Sequence, residues 1–278
     1  MGGAGTIAAV LLIVDLDGVV YRGPQPIPGM PELLRRREAL GDVIVYATNN
    51  SSRHRSEYEA ILAAIDVPVT PERIVTSARA TALLLGVDPT VRTALVLGGP
   101  GLRRELRDAG IRVVAPTPLG LARRPEAVVV GIDRALSYGR LAIAADAIRA
   151  GARFVATNRD PVYPAADGGL LPGAGAVVAA LEVATGRRPI VIGKPEPGLF
   201  QAAAQIAGVA PAQAVVIGDG LGTDVAAAQR IGARSVLMLT GVTTAAEADG
   251  APAALRPTAV AADADALAAV LEGFSRQA

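Results

Sequence analysis

The chain has 278 residues, with a net charge of +1, no cysteine, 3% aromatic residues and a hydrophobic fraction of 51% that is largely alanine. No run approaches the roughly 20 apolar residues needed to span a bilayer. The balanced charge and scarce aromatics argue against a nucleic-acid or anionic-membrane partner. Lack of cysteine excludes disulfides, thiolate nucleophiles and cysteine metal sites, and suits a cytoplasmic protein. The apolar start, Ile7 to Leu16, has no basic flank and ends on an acid, so it is not read as a signal peptide.

The first element is the run Leu11 to Val14, an apolar stretch of the kind found in strands buried on both faces. It leads into Asp15-Leu16-Asp17-Gly18. Strand alternation would send both carboxylates to one side, at the carboxyl rim where parallel sheets bind ligands. Two acids so close resist joint ionisation, which invites a divalent cation or a shared proton. A Pro- and Gly-rich loop, 23–29, precedes a helix expected from about Pro31 to Leu40. Arg35, Arg36 and Arg37 cannot share one face of that helix, so a solvated surface is expected. Val43 to Ala47 reads as a second strand, ending on Thr48-Asn49-Asn50-Ser51-Ser52. An amphipathic helix over Ser56–Ile65 and a short strand at Ile74–Thr76 follow. His54, the single histidine, is expected to be solvated at a helix start.

The middle of the chain repeats a strand–helix–strand rhythm. Strands are expected at Thr93–Leu97, Val113–Val114, Ala127–Val130 and Phe154–Ala156, with helices at Gly101–Ala109 and Leu141–Ala150. Gly98-Gly99-Pro100-Gly101 lacks dinucleotide-loop spacing and reads as a turn. A second polar strand end, Thr157-Asn158-Arg159-Asp160, precedes a Gly-rich loop at 168–175 and a helix over Ala176–Thr185. The last third is expected to return to longer βα units: Ile190–Ile192 before Gly193-Lys194-Pro195, a helix over Gly198–Ala207, and Ala214–Ile217 ending on Gly218-Asp219. Residues 220–224 lead into another helix, Ser235–Leu239 is a strand ending on Thr240-Gly241, and Ala261–Leu271 is a closing helix.

Alternating strands and helices give an α/β protein with a Rossmann-like parallel-sheet core. Polar strand ends fall in two sets, one in the outer thirds and one in the middle. The expectation is a core of residues 1–80 and 187–278, interrupted by a smaller α/β domain at 81–186.

Four strand-end features make a consistent chemical inventory. Asp15 can act as a nucleophile toward phosphorus. Asp15 and Asp219 can hold Mg²⁺, a hard ion that takes one or two carboxylates plus waters and phosphate. The Thr48 hydroxyl and the amides after it can donate to phosphoryl oxygens. All 27 basic residues except Lys194 are arginine, so this lysine marks a place where a compact charge serves better than a guanidinium fork.

These motifs, Asp15-Leu16-Asp17-Gly18-Val19-Val20-Tyr21, Thr48-Asn49-Asn50-Ser51, Gly193-Lys194-Pro195 and Gly218-Asp219 with Thr223-Asp224, appear in one order along nearly the whole chain. With Thr157–Pro161 and 168–173 between them, the chain resembles the haloacid dehalogenase (HAD) superfamily, subfamily IIA, in its nitrophenylphosphatase-like branch with an α/β cap. The resemblance implies that Asp15 is nucleophile and Mg²⁺ ligand. Asp17 would ligate through its backbone carbonyl and carry the proton to and from the reacting oxygens. Thr48, Asn49 and Asn50 would hold the phosphoryl group with Lys194, Asp219 would complete the metal site, and Asp224 would stand behind it. Tyr21–Gly23 would gate the site, and Asn158, Asp160 and Tyr163 would lie on the cap's substrate loop.

The implied activity is Mg²⁺-dependent hydrolysis of a small phosphate monoester of sugar, polyol or glycolate type, through an aspartyl-phosphate, with nitrophenyl phosphate as generic substrate. A phosphoryl mutase or transferase, or a phosphometabolite-binding protein without turnover, are the alternatives. Haloacid dehalogenation needs no acid at position 17, and a receiver domain fails on length and motif order. Two departures stand out: Gly220 and Gly222 replace larger polar residues, and Tyr163 replaces the histidine of pyridoxal-phosphate-cleaving relatives. The resemblance is consistent with a homodimer formed through the cap.

Overall fold

The computed structural model describes residues 10–67, 69–164 and 169–275. Residues 7–9 of the apolar start and Gly168 of the Gly-rich loop lie outside them. Among the described residues, no helix is long and apolar enough to cross a membrane.

Two compact units divide the chain. One takes the described residues up to Ala47, then Glu59–Ile74 and the chain from Lys194 onward; the other takes Thr48–Tyr58 and Val75–Gly193.

The first unit holds all of the first four strands and most of the fifth of a six-stranded sheet in the order Ala259–Ala261, Arg234–Met238, Val215–Gly218, Leu11–Val14, Val43–Thr48, Ile74–Thr76. Leu11–Val14 lies in the middle and is buried along its whole length. It pairs in parallel with both neighbours, Val14 standing opposite Ile217 on one side and Tyr46 on the other. Burial on both faces is why its sequence shows no alternation. The chain leaves this strand toward Val43–Thr48 and reaches Val215–Gly218 only after the second unit. The sheet therefore reverses direction of growth between Leu11–Val14 and Val215–Gly218. Open α/β sheets bind ligands at such a switch point, outside the carboxyl ends of the strands. Asp15 and Asp219 are the residues that follow those two strands.

The second unit has its own parallel sheet, ordered Ile190–Val191, Arg153–Ala156, Ala127–Val130, Thr93–Leu97, Arg112–Val114. Its core joins Leu95, Val128 and Phe154 of the strands to Ile148, Val178 and Leu181 of the helices Tyr138–Arg149 and Ala174–Thr185. The expected strand at 190–192 belongs here: Ile190 pairs with Val155 and Val191 with Ala156. It closes the second sheet instead of opening the last third of the first unit.

Several local expectations differ from the structure. The Gly- and Pro-rich loop 23–29 contains part of a small hairpin, with Tyr21–Arg22 antiparallel to Gln25–Pro26. The Gly-rich loop 168–175 likewise contains a strand, Leu170–Pro172, paired with Val162–Pro164. A helix at Ser77–Gly86 was not foreseen; Thr76 caps it, its hydroxyl accepting from the Arg79 amide at 3.0 Å. Of the three consecutive arginines, Arg37 is buried and pairs with Asp42 at 2.5 Å. The Asp42 carboxylate also accepts from the Val10 amide at 3.0 Å. One helical position in three turns inward, so a run of like residues need not be uniformly solvated.

Candidate active site

Four predicted residues converge within the first unit. The Lys194 ammonium lies 2.8 Å from Asp15 Oδ1 and 2.8 Å from Asp224 Oδ1. Asp15, Asp219 and Asp224 each offer a carboxylate oxygen within a group spanning 4.8 Å. Their relative exposures are 7%, 7% and 1%, and that of Lys194 is 4%. Burial depresses the lysine, but Asp15 and Asp224 outweigh it and raise its pKa, so the ammonium stays charged. Burial pushes Asp15 well above the usual carboxylate range against the pull of Lys194. Asp219 is also raised, by burial first and then by the charge of Asp224.

One ammonium cannot neutralise three carboxylates. The remaining charge and the oxygen-only donor set fit a hard divalent cation. Among the three, Asp224 is the most committed to protein partners. Its Oδ1 accepts from Lys194, and its Oδ2 from the Gly220 amide at 3.3 Å and the Thr223 hydroxyl at 3.0 Å. Such engagement suits a residue that orients Lys194 from behind the ligand set. The small residues around these acids have a steric reason: a Cβ on Gly218 would overlap the Asp224 carboxyl, and one on Gly220 would overlap the Thr223 hydroxyl.

Asp17 behaves differently from Asp15. The strand ends at Val14, so strict alternation does not extend through the pair, and Asp17 is exposed while Asp15 is buried. Gly18 then turns the chain at φ +79°, its amide donating to the Tyr21 carbonyl at 2.8 Å. Separate environments let two nearby acids take different protonation roles.

The second unit gathers another predicted set. The Asn49 carboxamide donates to both oxygens of Asp160, at 3.1 and 3.3 Å. The Asn49 main-chain carbonyl accepts from the Asn158 carboxamide at 2.7 Å and from the Ser77 hydroxyl at 2.5 Å. Asn158 is buried, and its Oδ1 accepts from the Asp160 amide at 3.1 Å. The Thr48 hydroxyl accepts from the Asn50 amide at 3.2 Å, and Asn50 Oδ1 accepts from the Ser52 amide and hydroxyl. Tyr163 meets Arg134, whose guanidinium lies 5.5 Å from its ring centroid and 3.3 Å from its hydroxyl.

His54 corrects its expectation. It is buried, with Nδ1 2.8 Å from the Ser56 hydroxyl and Nε2 2.9 Å from Asp108. The Ser56 amide donates to Nδ1 at 3.2 Å, which assigns the proton to Nε2, facing Asp108. Arg55 pairs with Glu105 and Asp108 of the same cluster. These partners lie about 50 residues away, on the helix Pro100–Asp108, where no local spacing could reveal them. With Ser51 bonded to Thr157 at 3.1 Å, they tie the segment Thr48–Tyr58 into the second unit.

Sequence reasoning missed Val242 and Thr243. The Val242 amide donates to Asp219 Oδ2 at 2.9 Å, and the Thr243 hydroxyl to the Asp219 carbonyl at 2.6 Å. Thr240-Gly241 was visible as another polar strand end, which was the available signal.

Comparison with known proteins gives matches over most of the chain. A model of haloacid dehalogenase-like hydrolases matches residues 12–112, and a HAD-hydrolase-like model matches residues 191–267. Chronophin of Mus musculus is 39% identical over 244 residues, covering 85% of this chain and 83% of that protein. The p-nitrophenyl phosphatase from Archaeoglobus fulgidus superposes with a TM-score of 0.85 at 32% identity, over 94% of this chain and 99% of that one. Glycerol phosphate phosphatase from Mycobacterium tuberculosis, in complex with magnesium, gives 0.84 at 38% identity, over 94% and 77%.

Proposed function

The chain belongs to the haloacid dehalogenase-like hydrolase family, and on that premise we propose that it is a Mg²⁺-dependent phosphatase of small phosphate monoesters. The observation that carries this reading is the buried cluster of Asp15, Asp219 and Asp224 around Lys194, at the sheet's switch point. Relatives described as a glycerol phosphate phosphatase, a p-nitrophenyl phosphatase and an acid sugar phosphatase support the reaction class and point to polyol or sugar phosphates as substrates.

In this reading Asp15, Asp219 and the backbone carbonyl of Asp17 would hold the cation, with Asp224 behind them. A bound Mg²⁺ would offset the charge of the carboxylates and of the phosphoryl oxygens. Lys194 holds Asp15 by its Oδ1 and contributes positive charge beside the reacting oxygens. An Asp15 oxygen forms a bond to phosphorus as the ester oxygen leaves, giving an aspartyl-phosphate. Asp17 gives its proton to that leaving oxygen, then takes one from the water that attacks the intermediate. Water attack on phosphorus releases inorganic phosphate and restores Asp15 as a carboxylate. Thr48 through its hydroxyl and Asn49 through its main chain would supply donors to the phosphoryl group, with the Asn50 amide, which donates to the Thr48 oxygen, orienting that hydroxyl. Residues of the second unit act as the cap: Asn158 fixes Asn49, while Asp160 and Tyr163 contribute to substrate choice.

Nitrophenyl phosphate, glycerol phosphates, phosphoglycolate and sugar phosphates, assayed with Mg²⁺, test the reaction. Asp15→Asn should lower turnover at least 1000-fold, on the order of a nucleophile's contribution, with an unchanged circular dichroism spectrum. Near-native turnover in Asp15→Asn, or hydrolysis that persists in excess chelator, would overturn the mechanism.

A further inference from the structure

The loop 240–243 follows the strand Arg234–Met238 and carries no carboxylate, lysine or other residue with an assigned role. It nevertheless touches both acid-bearing loops of the first unit. At one end, the Thr240 hydroxyl donates to the Gly18 carbonyl at 2.6 Å, one residue past Asp17. At the other, the Thr243 hydroxyl donates to the Asp219 carbonyl at 2.6 Å. Between them, the Val242 amide donates to Asp219 Oδ2 at 2.9 Å. Asp219 is thus held at two points, main chain and carboxylate, by consecutive residues.

Steric fit points the same way. A Cβ on Gly241 would overlap the Asp219 carboxyl group, as would one on Gly18. The Gly18 Cβ would also come within 2.9 Å of the Gly241 Cα. The Asp219 carboxylate therefore sits between two glycines, with one amide fixing its rotation. Thr243 is buried, so its hydroxyl has little water to turn to, and donation to the Asp219 carbonyl satisfies it. Arg22, on the hairpin after Asp17, donates to the Thr240 carbonyl and so anchors that hairpin to the same loop.

We propose that Thr240 and Thr243 are positioning residues, a staple that fixes the Asp15–Gly18 loop against Asp219 so that their oxygens are preset for the cation. The proposal rests on the reading of Asp219 as a cation ligand. Groups that orient a ligand from behind typically change metal affinity by about 10–100-fold when removed. Carboxylates that must otherwise be reoriented bind more weakly because binding then carries the ordering cost.

The test measures Mg²⁺ binding to the chelator-stripped full chain by calorimetry, beside nitrophenyl phosphate kinetics. Thr243→Val removes the hydroxyl at nearly constant shape, and Thr243→Ser restores it. Thr243→Val should weaken Mg²⁺ binding about tenfold and raise the Mg²⁺ concentration for half-maximal rate in parallel. At saturating Mg²⁺ its KM for substrate should be unchanged, and Thr243→Ser should recover affinity to within about twofold. Thr240→Val, at the less buried end of the staple, should shift Mg²⁺ affinity in the same direction and keeps the test open if Thr243→Val does not fold. Asp219→Asn separates the two failures. If it binds Mg²⁺ like the native chain, the cation-ligand reading itself falls. If it loses Mg²⁺ while both threonine variants bind like the native chain, the staple alone is refuted.

Discussion

Replacing Lys194 by Met keeps a linear side chain of similar length but removes the one cation among three buried carboxylates. Lys194 is 2.8 Å from both Asp15 and Asp224, and all three are nearly inaccessible. Removing one partner of a buried ion pair costs about 3–5 kcal/mol, because a charge is left uncompensated. The folded variant can limit that cost by binding one proton more than the native cluster, in which burial already raises Asp15 and Asp219. From an unperturbed carboxylate value near 3.9, protonation at pH 7 costs about 4 kcal/mol, and at pH 5 about 1.5 kcal/mol. The proton is bound in the folded state and not in the unfolded one, so the variant's stability falls as pH rises between these values. The deficit relative to the native chain should therefore be about 4 kcal/mol at pH 7 and about 2.5 kcal/mol smaller at pH 5. Urea unfolding of both proteins without divalent ions, at the two pH values, measures it through midpoint and slope. A deficit under about 1 kcal/mol at pH 7, or one that does not shrink at pH 5, would refute this account of the cluster.

Two further substitutions address the surroundings of the site and the second unit. Gly18→Ala places a Cβ onto the Asp219 carboxyl at a backbone φ of +79°, so Asp219 must move. Turnover should fall about 100-fold, as for a displacement near 1 Å, whereas Gly41→Ala, at φ +97° with nothing within 4 Å, should lose only about 1–2 kcal/mol of stability and keep its turnover. Equal turnover in the two variants would contradict the close packing at Asp219. His54→Ala removes the ring between Ser56 and Asp108 and should lower stability by about 1–3 kcal/mol, read as a urea midpoint shift. A loss below about 0.5 kcal/mol would mean that His54 does not tie its segment to the helix Pro100–Asp108.

Legibility differed by the kind of signal each element carries. Leu11–Val14 and Ala127–Val130 could be found because strands buried on both faces must be continuously apolar. Asp15, Asp219 and Lys194 could be found because their chemistry is specific and their residue types stand out against the composition. The hairpin Val162–Pro164/Leu170–Pro172 was hidden, since two short strands in a Pro- and Gly-rich stretch have no periodicity to read. The helix Ser77–Gly86 was hidden because its alanine-rich sequence is buried at most positions and shows no polar face. Arg37 and His54 were misplaced because a buried charge or ring is explained by its partners: Asp42 meets Arg37 only once the helix end turns the chain back, and Asp108 meets His54 from a distant helix.

The sequence by itself determined the α/β class, the order of the acid-bearing motifs, and the identity of the lone lysine set among arginines. Those features follow from local rules: burial pattern, turn chemistry and the scarcity of a residue type. Only the tertiary structure decided that Asp224 shares Lys194 with Asp15, which sheet Ile190–Val191 joins, and that residues 240–243 hold Asp219. Each of these joins residues more than 20 positions apart, and their amides and hydroxyls look alike in sequence. A hydrogen bond's partner is set by where the fold brings the chain back, which the residues on either side of it do not encode.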